Sequence, residues 1–142
     1  MVVSKKEIEK QIYEDWGSNP QSEICIAILG YLLRVPTNNL QHITYGSFRK
    51  VIGTNYSDND LIQAIQYLCG DYINLLEAKF ELIENDDNIF ALSDDEVSLA
   101  QKTGMLIHPD TGEVVNNFKE KVFMYFKPSP RINLLFSKNV TR

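Results

Sequence analysis

Between residues 57 and 99 the sequence has almost no positive charge: Lys79 stands alone against eleven acids. Cysteine is scarce as well. Cys25 and Cys69 are the whole complement, each in an apolar helical context where a free thiol behaves as a small core hydrophobe. His42 and His108 stand singly, so no C-x-x-C or H-x-x-x-H spacing offers a zinc site, and both read as structural histidines. No hydrophobic run reaches the ~18–20 residues of a membrane span; the longest, "ICIAILGYLL" at 24–33, has the length of a buried helix. "MVVSKKEIEK" lacks the order of a secretory leader, because its charges follow a short apolar start. Gly-rich phosphate cradles, nucleophile elbows and Walker patterns are missing too. The expectation is a cytoplasmic protein that is not an enzyme and uses no membrane, metal or cofactor.

What is present is a chain of 142 residues, 44% hydrophobic and 11% aromatic, enough for a real core in one domain, or in one domain with an appendage. Its net charge of −5 conceals a segregation. Residues 117–142 carry six bases against Glu120, opposite in sign to the acidic middle. Such asymmetry steers partners, or lets two solvated faces of one fold attract each other.

The acids concentrate in "FELIENDDNIFALSDDEV", residues 80–97, seven of them among eighteen positions. A calcium loop starting at Asp86 would need glycine at its sixth position, where Ala91 stands, and an oxygen ligand at its fifth, where Phe90 stands. Two readings stay open. Charges on a hairpin edge discourage pairing with neighbouring strands. Alternatively, Glu84, Asp86, Asp87, Asp94 and Asp95 form a docking surface for a basic protein partner.

Periodicity divides the rest of the chain. Ile8, Ile12 and Trp16 recur at i, i+4, i+8 after Ser4, an amphipathic helix that Gly17 and Pro20 end. Ser22 reads as the cap of a second helix, 23–34, apolar nearly all round and therefore central. "LQHI" at 40–43 reads as a short strand, and "TYGSFRKVI" at 44–52 as a helix stopped by Gly53. Ser57 caps a helix to Cys69 with Leu61, Ile65 and Leu68 inward. Strands are expected at 73–84 and 88–93, then a helix opened by "SDDE" and closed by Gly104, then a hairpin over 105–115. "NFKEKVFMYF" at 117–126 satisfies helix and strand patterns alike. "KPSPR" predicts an extended linker that carries "INLLFSK" outward.

The apolar "SEICIAILGYLL", the "TYGSFRKVIG" helix, the capped "SDNDLIQAIQYL" helix and the hairpin "LLEAKFELIENDDNIFALS" follow one another in an order that resembles winged helix-turn-helix domains. The likeness covers residues 22–102. It implies an α+β, winged-helix-like helical domain with a small antiparallel hairpin and a C-terminal extension. The expected organisation is an N-terminal amphipathic helix at 1–19, the winged-helix-like domain at 20–103, and a hairpin with a dimerisation tail at 104–142.

The resemblance would make 57–69 the recognition helix and "ENDDN" the wing tip. Candidate DNA-contacting residues are then Arg49, Lys50, Asn59, Gln63, Gln66 and Lys79, since Asn and Gln pair with adenine. Affinity, however, comes mostly from phosphate neutralisation. Asp58, Asp60, Glu84, Asp86 and Asp87 would face the phosphates, so any nucleic-acid binding is expected to be weak. The favoured expectation is a protein-binding module that homodimerises through Leu134, Leu135 and Phe136. A sequence-specific DNA-binding regulator and an acidic immunity or antitoxin-like protein are the alternatives.

Overall fold

The computed structural model describes the backbone of residues 4–140 and side chains as far as Leu135. It is a mixed α+β chain of seven helices, a three-stranded antiparallel sheet and a two-stranded hairpin. The chain forms two compact units. A helical unit comprises residues 1–77 and 126–142, and a hairpin unit comprises 78–125. Residues 20–103, expected as one domain, are thus shared between them, helices in the first and hairpin in the second.

In the helical unit, α1 (Lys5–Trp16) begins where the Ser4 side chain accepts the Glu7 N–H, and it buries Ile8 and Ile12. α2 (Pro20–Arg34) starts earlier than expected. Pro20 occupies its first turn, where a missing N–H costs nothing. Ser22 is therefore inside the helix and not its cap; its hydroxyl donates to the Gly17 carbonyl at 2.8 Å and closes the α1–α2 corner. α2 is the centre of the unit, packed against α1, α3 (Tyr45–Ile52), α4 (Asp58–Cys69) and α7 (Pro130–Val140). A Thr44–Ser47 capping box opens α3, and Ser57 accepts the Asp60 N–H to open α4, which buries Leu61, Ile65 and Leu68.

The strand expected at 40–43 shrinks to a single antiparallel bridge, Ile43 with Phe126. The linker expected after Lys127 is also corrected. Pro130 starts α7 directly, and Ser129 fixes the entry by donating its N–H to Leu75 O at 3.0 Å and its hydroxyl to Asn74 O at 2.6 Å. Arg131 adds a 2.6 Å bond to Ile73 O, and Ile132 and Leu135 are buried. Proline held the chain extended for one residue and then favoured the helix it opens. The tail folds back onto its own unit.

In the hairpin unit, β1 (Leu76–Asn85) pairs antiparallel with β2 (Asn88–Leu92), Phe80 opposite Leu92 and Leu82 opposite Phe90. α5 (Asp94–Thr103) opens with a reciprocal Ser93–Glu96 capping box and closes at Gly104 in the left-handed region. β3 (Leu106–Ile107) and β4 (Val114–Val115) form the second hairpin. The ambiguous segment satisfies both patterns in turn: α6 (Phe118–Lys121) runs straight into β5 (Val122–Pro128). The sheet order is β2-β1-β5, so β2 is an edge. Leu82, Leu92, Ala100, Leu106 and Val115 make the buried core of this unit.

Candidate functional site

The acidic stretch folds into two separate poles. Asp86 and Asp87 form the β1–β2 turn, where Asn85 Oδ1 accepts the Asp87 N–H at 3.0 Å and tightens the reversal. Asp94 and Asp95 lie in the first turn of α5, where carboxylates favour the positive end of the helix dipole. β2, five residues long and about 17 Å at ~3.3 Å per residue, runs between the two poles. All four carboxylates are exposed, and no base among the described residues pairs with them. Between them Ile89 is half exposed on the edge strand.

Glu84 behaves differently. Its carboxylate meets His108 Nε2 at 3.0 Å, and His108 Nδ1 accepts the N–H groups of Asp110 and Thr111. His108 is buried, with the Phe90 ring edge-on at 4.5 Å between centroids. Both ring nitrogens are thus occupied by structure. Burial pushes the Cys25 thiol up to about 12 and the Cys69 thiol up to about 11, which suppresses both thiolates at neutral pH. Among the described residues no group of three or more His, Cys, Asp or Glu side chains is placed to hold a metal ion. No helix among them is long and apolar enough to cross a membrane.

Of the residues expected to meet DNA, Arg49 and Gln63 are hydrogen-bonded within the chain. On α3, the Arg49 guanidinium donates to Asp58, to Gly53 O at 3.1 Å and to Tyr56 O at 2.8 Å. On α4, Gln63 accepts from Gln21 Nε2 at 2.5 Å. Asn59, Gln66 and Lys50 are exposed, while Lys79 is half buried on β1 in the other unit. Of the tail residues expected to mediate dimerisation, Leu135 is buried in its own chain and Leu134 is half exposed. The Phe136 side chain lies outside the described residues.

The sequence pattern did not reveal a cleft of about 410 Å³ in the hairpin unit. Phe80, Val97, Phe118 and Val122 wall it above the Leu92–Leu106 floor, and Gln101 and Lys119 stand at its rim. The only signal was an apolar excess at 118–126 beyond what one helix face needs.

No protein-family model matches the chain, and no curated protein or solved structure is similar to it to a significant degree.

Proposed function

We propose that the protein is a non-enzymatic binding module on a winged-helix-like scaffold, whose hairpin unit docks a basic segment of another protein. The observation that carries this reading is the edge strand β2 with a carboxylate pair at each end that no base among the described residues neutralises. An extended strand adding to that edge would gain main-chain hydrogen bonds, and cations about seven residues apart, the spacing of Asp87 from Asp94, would meet both poles. Apolar contact with Ile89 would fill the middle. Charges alone on an edge would serve only to repel neighbours. Two poles spaced by a pairable strand also select a partner.

Homodimerisation through the C-terminal extension is part of the proposal, with Leu134 as the exposed apolar residue available for it. Regulation through DNA is the weaker reading, because Arg49 and Gln63 are engaged within the chain. The test is capture from the native cell with nuclease added, followed by binding of the purified partner. The partner should be basic, and binding should fall at least tenfold when Asp86, Asp87, Asp94 and Asp95 all become Asn. Retained affinity in that variant, or a partner without a basic segment, would sink the reading.

A further inference from the structure

The apolar cleft of the hairpin unit has a different chemistry from the acidic poles, none of whose four carboxylates lines it. Its volume, about 410 Å³, falls in the range of small-molecule sites. Phe80, Val97, Phe118 and Val122 pack against the buried core yet remain only partly buried, so the core of the unit is unfinished on this side. At about 30 Å³ per water-sized group, the space suits a chain of on the order of ten carbons. At Gly104 the rim is open, with nothing within 4 Å of where a side chain would begin.

The charge around the opening is the reverse of its surroundings. The hairpin unit holds ten acids and four bases, yet no acid lines this cleft. Glu120 borders a neighbouring cleft instead. Lys119 is exposed at the rim with no ion-pair partner among the described residues, and Gln101 lines the same opening from α5. An apolar slot with a cation and an amide at its mouth suits an amphiphile with an anionic head.

We propose that this cleft binds a medium-chain fatty carboxylate, its chain against Phe80, Val97 and Phe118 and its head group at Lys119 and Gln101. The pole carboxylates take no part in this site, although Leu92 of β2 contributes to its floor.

The experiment titrates the full chain with decanoate below its micelle concentration and follows backbone amide resonances. One decanoate should bind saturably, shifting the amides of Val97, Gln101, Leu106 and Lys119. Octanoate should bind more weakly by about fourfold per missing methylene. Lys119→Glu should weaken decanoate at least tenfold while leaving decanol unchanged, and Gln101→Trp should abolish binding of both. Both residues are exposed, so their variants should melt with the parent protein. Non-saturable shifts, a decyl trimethylammonium probe binding as tightly as decanoate, or an unaltered Lys119→Glu titration would each overturn the proposal. The variant with all four pole acids changed to Asn should bind decanoate normally, so failure here and failure of the docking reading remain distinct.

Discussion

His108 Nε2 stands 3.0 Å from the Glu84 carboxylate, while its Nδ1 accepts two consecutive backbone N–H groups at 3.1 and 3.3 Å. The paired amides make Nδ1 the acceptor, so the ring proton sits on Nε2 and points at Glu84. One buried side chain thereby joins the β3–β4 turn to the end of β1. Replacing His108 by Ala should cost ~1–3 kcal/mol, because two turn amides lose their acceptor. Hydrogen exchange at Asp110 and Thr111 should accelerate in step. Glu84→Gln keeps an acceptor oxygen and should cost less than ~1 kcal/mol. Equal destabilisation by the two variants would mean that the hydrogen bond to Glu84, not the amide contacts, holds the turn.

Asp58 supplies a pH prediction. Its carboxyl is held below the usual range first by the Tyr45 hydroxyl at 2.7 Å and then by the Arg49 guanidinium. A folded-state value below the unfolded one stabilises the fold above the unfolded pKa of about 3.9. That contribution disappears as pH falls through the depressed folded value. Denaturation midpoints measured from neutral pH downward should therefore decline in acid, and Asp58→Asn should flatten part of the decline. An unchanged acid limb in the variant would remove Asp58 from the account.

The two thiols should be slow to react. Cys25 is buried on α2, and Cys69, near the end of α4, is partly covered. With thiols pushed up to about 12 and about 11 by burial, the thiolate fraction at pH 8 is small. A disulfide-exchange reagent at pH 8 should modify neither at an appreciable rate until denaturant is added. Rapid labelling of Cys69 in the native protein would contradict this.

Local signals were legible in the sequence, and long-range partners were not. Ser57, and Ser93 with Glu96, mark helix starts through residues three apart, and the structure places caps there. Ser22 misled because Pro20 supplies a rival start two residues earlier. The proline pair at 128 and 130 read as a spacer, since nothing local reveals that Ser129 bonds the carbonyls of Asn74 and Leu75. The acidic residues were identifiable, but their splitting into two poles depends on where β2 runs. The same holds for His108 and Glu84, which are 24 residues apart. The cleft draws its lining from six separate elements, a combination that no single periodicity carries.

The tail gives a prediction that separates folding from association. Leu135 is buried against its own unit and Leu134, its neighbour, is half exposed. Leu135→Ala should destabilise the monomer by ~2–5 kcal/mol, as for other buried leucines. Leu134→Ala should stay within ~0.5 kcal/mol. If copies of the chain pair through this helix, Leu134→Asp should shift light scattering toward monomer without lowering the melting temperature. A dimer indifferent to Leu134→Asp would place the interface elsewhere.

DNA binding is expected to be no tighter than the ~10⁻⁴–10⁻⁶ M of non-specific association at physiological salt. Three features of the helical unit and one of the hairpin unit lead there. Arg49, half buried beside α4, is bound to Asp58 and to two backbone carbonyls, so freeing it for a phosphate would break those bonds. Gln63, exposed like Asn59 and Gln66 on α4, has its amide oxygen occupied by Gln21. That helix begins with Asp58 and Asp60 and contains no base. The β1–β2 turn presents Asp86 and Asp87, which would repel a phosphate backbone. Fluorescence anisotropy over a range of salt should show weak binding with a shallow slope, since few cations are available to release counterions. Replacing Gln66 by Ala should leave it unchanged. Nanomolar affinity for a selected duplex, lost with Gln66→Ala, would instead make α4 a recognition helix and the protein a sequence-specific regulator.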